Sequence, residues 1–504
     1  MLTTLQGEQT MNIVRMMRAA MLAGVGCVLA LAAGQALAAD AAVNPGKMTR
    51  YEVPGYTLVA VTNPQLRRDV AKLPRLKHAL EEMTGLKVKP TGIPTVVYVV
   101  PGSLWETYLE PAPALASEFV PTRFTNYIIA SNTSVDQTRL FHEHTHLYVY
   151  NQMPGVYPLW FDEGLAVMMA NAQFTGKEVN ILPPRHDDRG GWIPIASVLR
   201  TTRTSPEYLN QAQLFSFHFE SNAMVYRALI DDKEFGQQVV KYLEAINHVA
   251  TPDEAEAILG NVDDLNSKMR GYVNDSNRKR VQMDVQGVAD LTLPQGTPVS
   301  TLDALLGIAT VCLDAGIHLE RTHELLDSAA KEAGGEQRVI ALRARLAARR
   351  ANDAELEKNL SILTKDAGDL RAARAAGLAL YERAQALDAS SAKRKELSTR
   401  SVTLLDRSLA SRADDPEAVW AFAMQAADLK QNMDVALQRL IPMFDRLPEN
   451  PDMSLAAGRL LYAKGDPNLK PYATAVLRYS SSLEHKRWAA ERITELKKKL
   501  AEAQ

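Results

Sequence analysis

The chain has 504 residues, with 57 basic against 59 acidic side chains, 46% hydrophobic residues and 2 Cys. That balance excludes collagen-like, disulfide-stapled and strongly charged disordered classes, and a pI near 6.6 gives no electrostatic case for nucleic acid. At about 100 to 200 residues per domain, the length predicts two to four domains, each able to bury its own core.

Residues 1–38 read as an export leader. Met11 is the expected start, Arg15 and Arg18 form a basic region, 19–33 is apolar, and Ala36-Leu37-Ala38 is a small-x-small cleavage signal before Ala39. The apolar run falls short of the roughly 20 residues a membrane span needs. The expectation is a periplasmic or secreted protein with no membrane contact once the leader is removed. Cys27 lies inside the leader, which leaves Cys312, set among Ile308, Val311 and Leu313, as a buried small hydrophobe rather than a nucleophile.

Behind the leader the front half alternates. Runs at 56–61 and 94–100 are short, β-branched and bounded by Pro or Gly, as buried strands are, and 65–83 between them has helical periodicity. A third apolar run covers 124–130. Ser134 with Gln137 three positions on forms a capping box, which predicts a helix beginning near Val135.

Aromatic residues divide the chain: 21 of them lie between 51 and 230, whereas 301–400 contains Tyr381 alone. The same hundred residues hold 22 Ala, and Ala with Leu, Arg, Glu and Lys at three-to-four spacing is the composition of packed helices. Two cores are therefore expected, over 45–285 and 301–504. A linker is placed at 286–300, where Leu293-Pro294-Gln295-Gly296-Thr297-Pro298 interrupts any regular element. In the rear part Asp415-Pro416-Glu417-Ala418 recurs as Asn450-Pro451-Asp452-Met453. That period of 35 is close to the 34-residue helical hairpin of tetratricopeptide (TPR) repeats. Such arrays present a concave surface to a protein partner, though the same helices can form a packed domain with no ligand.

The chemistry concentrates at Phe141-His142-Glu143-His144-Thr145-His146. His142, Glu143 and His146 satisfy H-E-x-x-H on a segment expected to be helical, and positions four apart share one helix face. Two imidazoles can then reach one zinc ion at about 2.0 to 2.1 Å, with the Glu143 carboxylate displaced from the metal and free to act as general base. A catalytic zinc takes a third protein ligand. Glu163 is the candidate, in Pro158-Leu159-Trp160-Phe161-Asp162-Glu163-Gly164-Leu165-Ala166, where an acid among apolar neighbours needs a partner or a metal.

These residues resemble the gluzincin zinc metallopeptidases of the broad peptidase MA-like superfamily, which follow H-E-x-x-H with a glutamate in P-x-W-x-x-E-G-x-A. The match falls on His142, Glu143, His146, Pro158, Trp160, Glu163, Gly164 and Ala166 and spans 51–272. The resemblance implies His142, His146 and Glu163 as zinc ligands and Glu143 as catalytic base. It also implies a peptide or protein substrate lying extended along the strand at 124–130. Many relatives carry a tyrosine three residues before a serine behind the site; Phe217-His218-Phe219-Glu220-Ser221 looks like that segment with His218 in the tyrosine's place. His218, and less directly Tyr226, are candidate oxyanion donors, although a histidine among aromatics is more often a satisfied core residue.

His144 points to the other side of the helix and is expected to be structural. Asp162 could orient a ligand histidine or simply cap a helix turn, and 186–191 has the composition of a loop at the rim of the cleft. The expected architecture is thus an α+β zincin-like catalytic domain followed by an all-α, TPR-like helical domain. The expected function is an exported zinc metallopeptidase. Two rivals remain: a catalytically silent zinc-bearing scaffold whose tail binds a partner, and a zinc hydrolase that cleaves an amide in a cell-wall component.

Overall fold

The computed structural model describes residues 47–504 except 89–90, 110–116, 134, 154, 186–190, 334 and 503–504. The expected leader with Cys27, Ser134 of the expected capping box, and most of the 186–191 segment lie outside the described residues.

Strand β1 (Thr49–Val53) turns through Gly55 into β2 (Tyr56–Ala60), and two short helices, α1 (Pro64–Ala71) and α2 (Leu73–Thr84), lead to β3 (Thr95–Val100). The start of α1 is locally encoded. The Asn63 side chain accepts from the Leu66 amide and Pro64 occupies the first turn, where its missing N–H costs nothing. Then follow β4 (Ser117–Pro121), β5 (Asn126–Ser131), α3 (Gln137–Gln152), α4 (Leu159–Ala170), β6 (Gln173–Phe174), β7 (Glu178–Ile181), α5 (Gln211–Tyr226), β8 (Val281–Asp284) and β9 (Thr297–Pro298). The main sheet has the order β4-β5-β3-β2-β1-β9. Strands β2, β3 and β5 run parallel, with antiparallel pairings at both ends.

Side chains alternate across this sheet. Leu58, Val97 and Ile128 are in register and share one core with Leu73, Leu76, Leu80 and Phe141, so this face is closed by α1, α2 and α3. The opposite face carries Val59 and Tyr98, also in register, and the first helix of the rear part covers it. That helix, α6 (Thr301–Ala315), approaches so closely at Gly307 that a Cβ there would lie 2.5 Å from the Tyr98 hydroxyl.

The rear part is helical throughout its described residues. After α6 come α7 (Leu319–Glu332), α8 (Gln337–Arg349), α9 (Asp353–Leu363), α10 (Leu370–Gln385), α11 (Ala392–Leu409), α12 (Pro416–Leu429), α13 (Met433–Arg446), α14 (Pro451–Lys464), α15 (Lys470–Tyr479) and α16 (Leu483–Glu502). Consecutive helices pack in pairs, and the first helix of each pair also packs on the first helix of the next. This is stacking of successive hairpins. The recurrence seen in the sequence is a repeated helix start. Asp415 and Asn450 cap α12 and α14 by accepting from the third amide beyond them, with Pro416 and Pro451 next in the chain.

The linker segment 286–300 is packed against the front part. Strand β9 pairs with β1 at Thr49 and Arg50, the Leu291 amide donates to the Ala71 carbonyl, and Val288, Leu291 and Leu293 pack on the front core. Pro and Gly do break regular structure there, but apolar residues between them still have a surface to bury. The described residues from 47 on form one compact unit, within which the front part has its own core and the rear helices theirs.

Candidate metal centre

Helix α3 begins at Gln137, two residues later than expected. Asp136 is its cap, accepting from the Arg139 amide at 2.9 Å. Within α3 the rings of His142 and His146 stand one turn apart, with centroids 4.7 Å from each other and Nε2 atoms 3.1 Å apart. Helix α4 starts after Pro158 and brings Glu163, 2% exposed, under both rings. Its Oε2 lies 3.2 Å from His142 Nε2 and 3.6 Å from His146 Nε2. Among the described residues this is the one group of three or more His, Cys, Asp or Glu side chains arranged to hold a metal ion.

Close packing of two helices makes this convergence possible. A Cβ at Gly164 would fall 2.4 Å from the Ser221 carbonyl oxygen of α5 and 2.8 Å from Val225, so α4 can lie against α5 only if residue 164 has no side chain. Gly164→Ala is expected to lower stability by about 1 to 3 kcal/mol through overpacking, measured as a lower denaturation midpoint in urea.

The distances fit a tetrahedral ion. With bonds of about 2.0 to 2.1 Å, adjacent ligand atoms of a tetrahedron stand roughly 3.3 to 3.4 Å apart, against the observed 3.1, 3.2 and 3.6 Å. The protonation pattern fits as well. Asp162 Oδ1 lies 2.8 Å from His146 Nδ1, which places the ring proton on that nitrogen and turns the Nε2 lone pair toward Glu163 and His142. Such donors repel one another unless positive charge sits between them.

With no ion bound, the same groups settle their charge on a proton instead, as an imidazolium facing a carboxylate. Burial alone would raise the Glu163 carboxyl, yet the His146 and His142 imidazoles hold it well below the usual carboxylate range. Burial would likewise depress His146, and the Asp162 and Glu163 carboxylates instead push it well above the ordinary histidine value. If the cluster holds a metal ion, Asp162→Asn should weaken its binding by about 10 to 100-fold by removing the acceptor that fixes the ring, as read by competition with a chromophoric chelator.

Glu143, the next residue along α3, does not join the cluster. Its Oε1 accepts from the Ser117 hydroxyl of β4 at 2.8 Å. Tyr208 donates to Glu163 Oε1 at 2.9 Å, and an Arg203 nitrogen sits 3.3 Å from the Tyr208 oxygen. The sequence reading did not single out Ser117, Tyr208 or Arg203, because each reaches the site from a distant element with no motif around it. The centre opens on a cleft of about 830 Å³ lined in part by Ser117, Arg139, His142, Glu143, Phe215 and His218.

Of the two oxyanion candidates, His218 is at the site and Tyr226 is not. His218 Nε2 lies 3.5 Å from Glu163 Oε2 and makes no hydrogen bond among the described residues, while burial lowers its pKa to about 4 and keeps the ring neutral. Tyr226 is buried elsewhere, donating to the backbone carbonyls of Ile181 and Lys279. His144 is structural, as expected: its Nδ1 bonds the Leu140 carbonyl and its ring meets Tyr56 edge-on.

The strand at 124–130 also needs correction. Strand β5 is an inner strand, hydrogen-bonded to β3 on one side and β4 on the other, so its backbone has no free edge for a peptide. The edge next to the site is β4.

Behind the site, Glu220 is fully buried and accepts from the Ile193 amide at 2.6 Å, and burial pushes its carboxyl up to about 8. The folded chain therefore binds this proton more tightly than the unfolded one, which favours folding at low pH and fades as pH rises through about 8. Glu220→Gln should remove that decline, raising the melting temperature relative to the parent at pH near 8 but not near 5.

No protein-family model and no curated protein matches this chain. Among solved structures, a thermophilic TPR protein from Thermus thermophilus aligns at 14% identity with a TM-score of 0.32. The alignment covers 38% of this chain and 100% of that one. At that score the likeness carries no argument, and the stacked hairpins rest on this chain's own packing.

Proposed function

We propose that this chain is a zinc-dependent hydrolase of the gluzincin kind with a zincin-like front domain, and that it cleaves peptide bonds. One observation carries the reading: His142, His146 and Glu163 present three donor atoms at tetrahedral spacing, and Glu143, held through its Oε1 by Ser117, lines the same cleft. The same three residues would hold the metal. Bound zinc lowers the pKa of water to about 7 and polarises a scissile carbonyl.

The chain supplies the remaining functions. Asp162 orients His146, and Tyr208 orients the Glu163 carboxylate through its outer oxygen. Glu143 takes the proton of the attacking water and returns it to the departing amine nitrogen. His218, neutral and with no hydrogen-bond partner for its Nε2 among the described residues, lines the same cleft and is the candidate donor to the developing oxyanion. Strand β4 ends the sheet order on this side, and its outer edge can pair with an extended peptide. The leader supports action outside the cytoplasm, and the rear helices are TPR-like in their stacking.

The test is to load the purified protein with zinc and incubate it with unfolded proteins and short peptides, reading cleavage by mass spectrometry. One zinc per chain with chelator-sensitive cleavage is expected. Full zinc occupancy with no cleavage of any peptide would favour the silent scaffold, or an amide outside the peptide class.

A further inference from the structure

The first helix of every rear hairpin from α6 to α14 contributes to one continuous face, which is where a repeat array ordinarily receives its ligand. In this chain the face is occupied. The turn joining β4 to β5, closed by Thr122 and Thr125 hydrogen-bonding each other, projects Arg123 and Phe124 into it. The Arg123 guanidinium lies 4.3 Å from the Trp420 ring centre and its Nε is 3.2 Å from Asp452 Oδ1. Phe124 meets the Trp420 ring edge-on at 5.9 Å, and Trp420 in turn meets Tyr381 at 5.1 Å. Along β5, the Tyr127 hydroxyl donates to Asp314 at 2.6 Å, and Asp314 is held by Arg345. Helices α6, α12 and α14 thus grip a basic-aromatic hairpin belonging to the chain itself, with α8 and α10 bracing Asp314 and Trp420.

The gripped hairpin is also the element that ends at the site. Its β4 arm carries Ser117, whose hydroxyl holds the Glu143 carboxylate, and among the described residues β4 is the outermost strand, bonded within the sheet to β5 alone. An edge strand with one neighbour opens readily. Here its far end is anchored by a cation–π contact, an ion pair and an aromatic cluster.

We infer that the rear helices act as an internal clamp on the β4–β5 hairpin. They set the position of β4, and through Ser117 that of Glu143, so Arg123, Phe124 and Trp420 are positioning residues. The consequence at Glu143 rests on the hydrolase reading above, whereas the clamp itself does not.

The test uses the full zinc-loaded chain with Arg123→Ala and Trp420→Ala, Trp420→Phe as the conservative partner, and Arg350→Ala as a control that breaks only an outer ion pair with Glu320. Arg123 is half exposed and lies outside the helical core, so its variant folds even if Trp420→Ala does not. Hydrogen exchange of the 117–121 amides should accelerate about tenfold or more in both alanine variants, the loss expected for a cation–π contact and its ion pair. Exchange across 142–146 should stay at the parent rate, and Trp420→Phe and Arg350→Ala should behave as the parent does. Turnover should fall with the same pattern, and Arg123→Ala should cost nothing further in a Ser117→Ala background, because both act through one contact.

Unchanged exchange at 117–121, or an equal acceleration throughout the front sheet, overturns the clamp. Additive losses in the double variant overturn its link to Glu143. If the parent turns over no substrate, the hydrolase reading fails on that result and the exchange pattern still decides the clamp.

Discussion

Glu143→Gln is expected to retain one zinc per chain and to lose about 10²- to 10⁴-fold in kcat, the range contributed by a positioned general base. The side chain lies outside the three donors, so metal content has no reason to change. Glutamine matches the size of glutamate and can still accept from the Ser117 hydroxyl, so the cleft keeps its shape. What it lacks is a basic oxygen to take a proton from the attacking water. Elemental analysis and steady-state turnover on the same sample check this. Undiminished turnover, or loss of zinc together with activity, would assign Glu143 a different role.

The second large effect falls on Glu163. Glu163→Ala removes one of three donors and leaves the Tyr208 hydroxyl without its acceptor. Zinc affinity should fall by more than the roughly 10- to 100-fold that loss of an outer-shell partner costs, so the variant is expected to purify largely metal-free and inactive. Because Glu143→Gln loses activity with zinc in place, the pair of variants separates the binding role from the chemical one. Metal affinity measured by chelator competition reads the difference directly.

Much of this centre is legible in the sequence because its key spacing is local. His142 and His146 are one helical turn apart on α3, and that relation survives wherever the helix is placed. Glu163 is legible for another reason: an acid between Trp160, Phe161 and Leu165 has to be paired, and it is. The helix starts at Asp415-Pro416 and Asn450-Pro451 are equally local, written in a cap and the proline after it.

What escapes the sequence is long-range. Ser117 meets Glu143 across 26 positions and Tyr208 meets Glu163 across 45. A lone hydroxyl carries no periodic mark, so only the finished sheet and helix packing reveal them. The same holds for β9, two residues beside a proline-rich break, which becomes a strand because β1 offers an open edge. It holds too for the rear helices, whose repeat period allows either a concave binding surface or a packed domain with no ligand. The chain's own Arg123 and Phe124 fill that surface, and strand order decides which turn faces it.

The most direct measurement of the central claim is an anomalous difference map at the zinc absorption edge from crystals of the zinc-loaded protein. The account predicts one peak per chain, within about 2.0 to 2.2 Å of His142 Nε2, His146 Nε2 and a Glu163 oxygen, with Glu143 outside that distance. A map with no peak there, or with zinc bound to other residues while Glu163 pairs only with Tyr208, would contradict it.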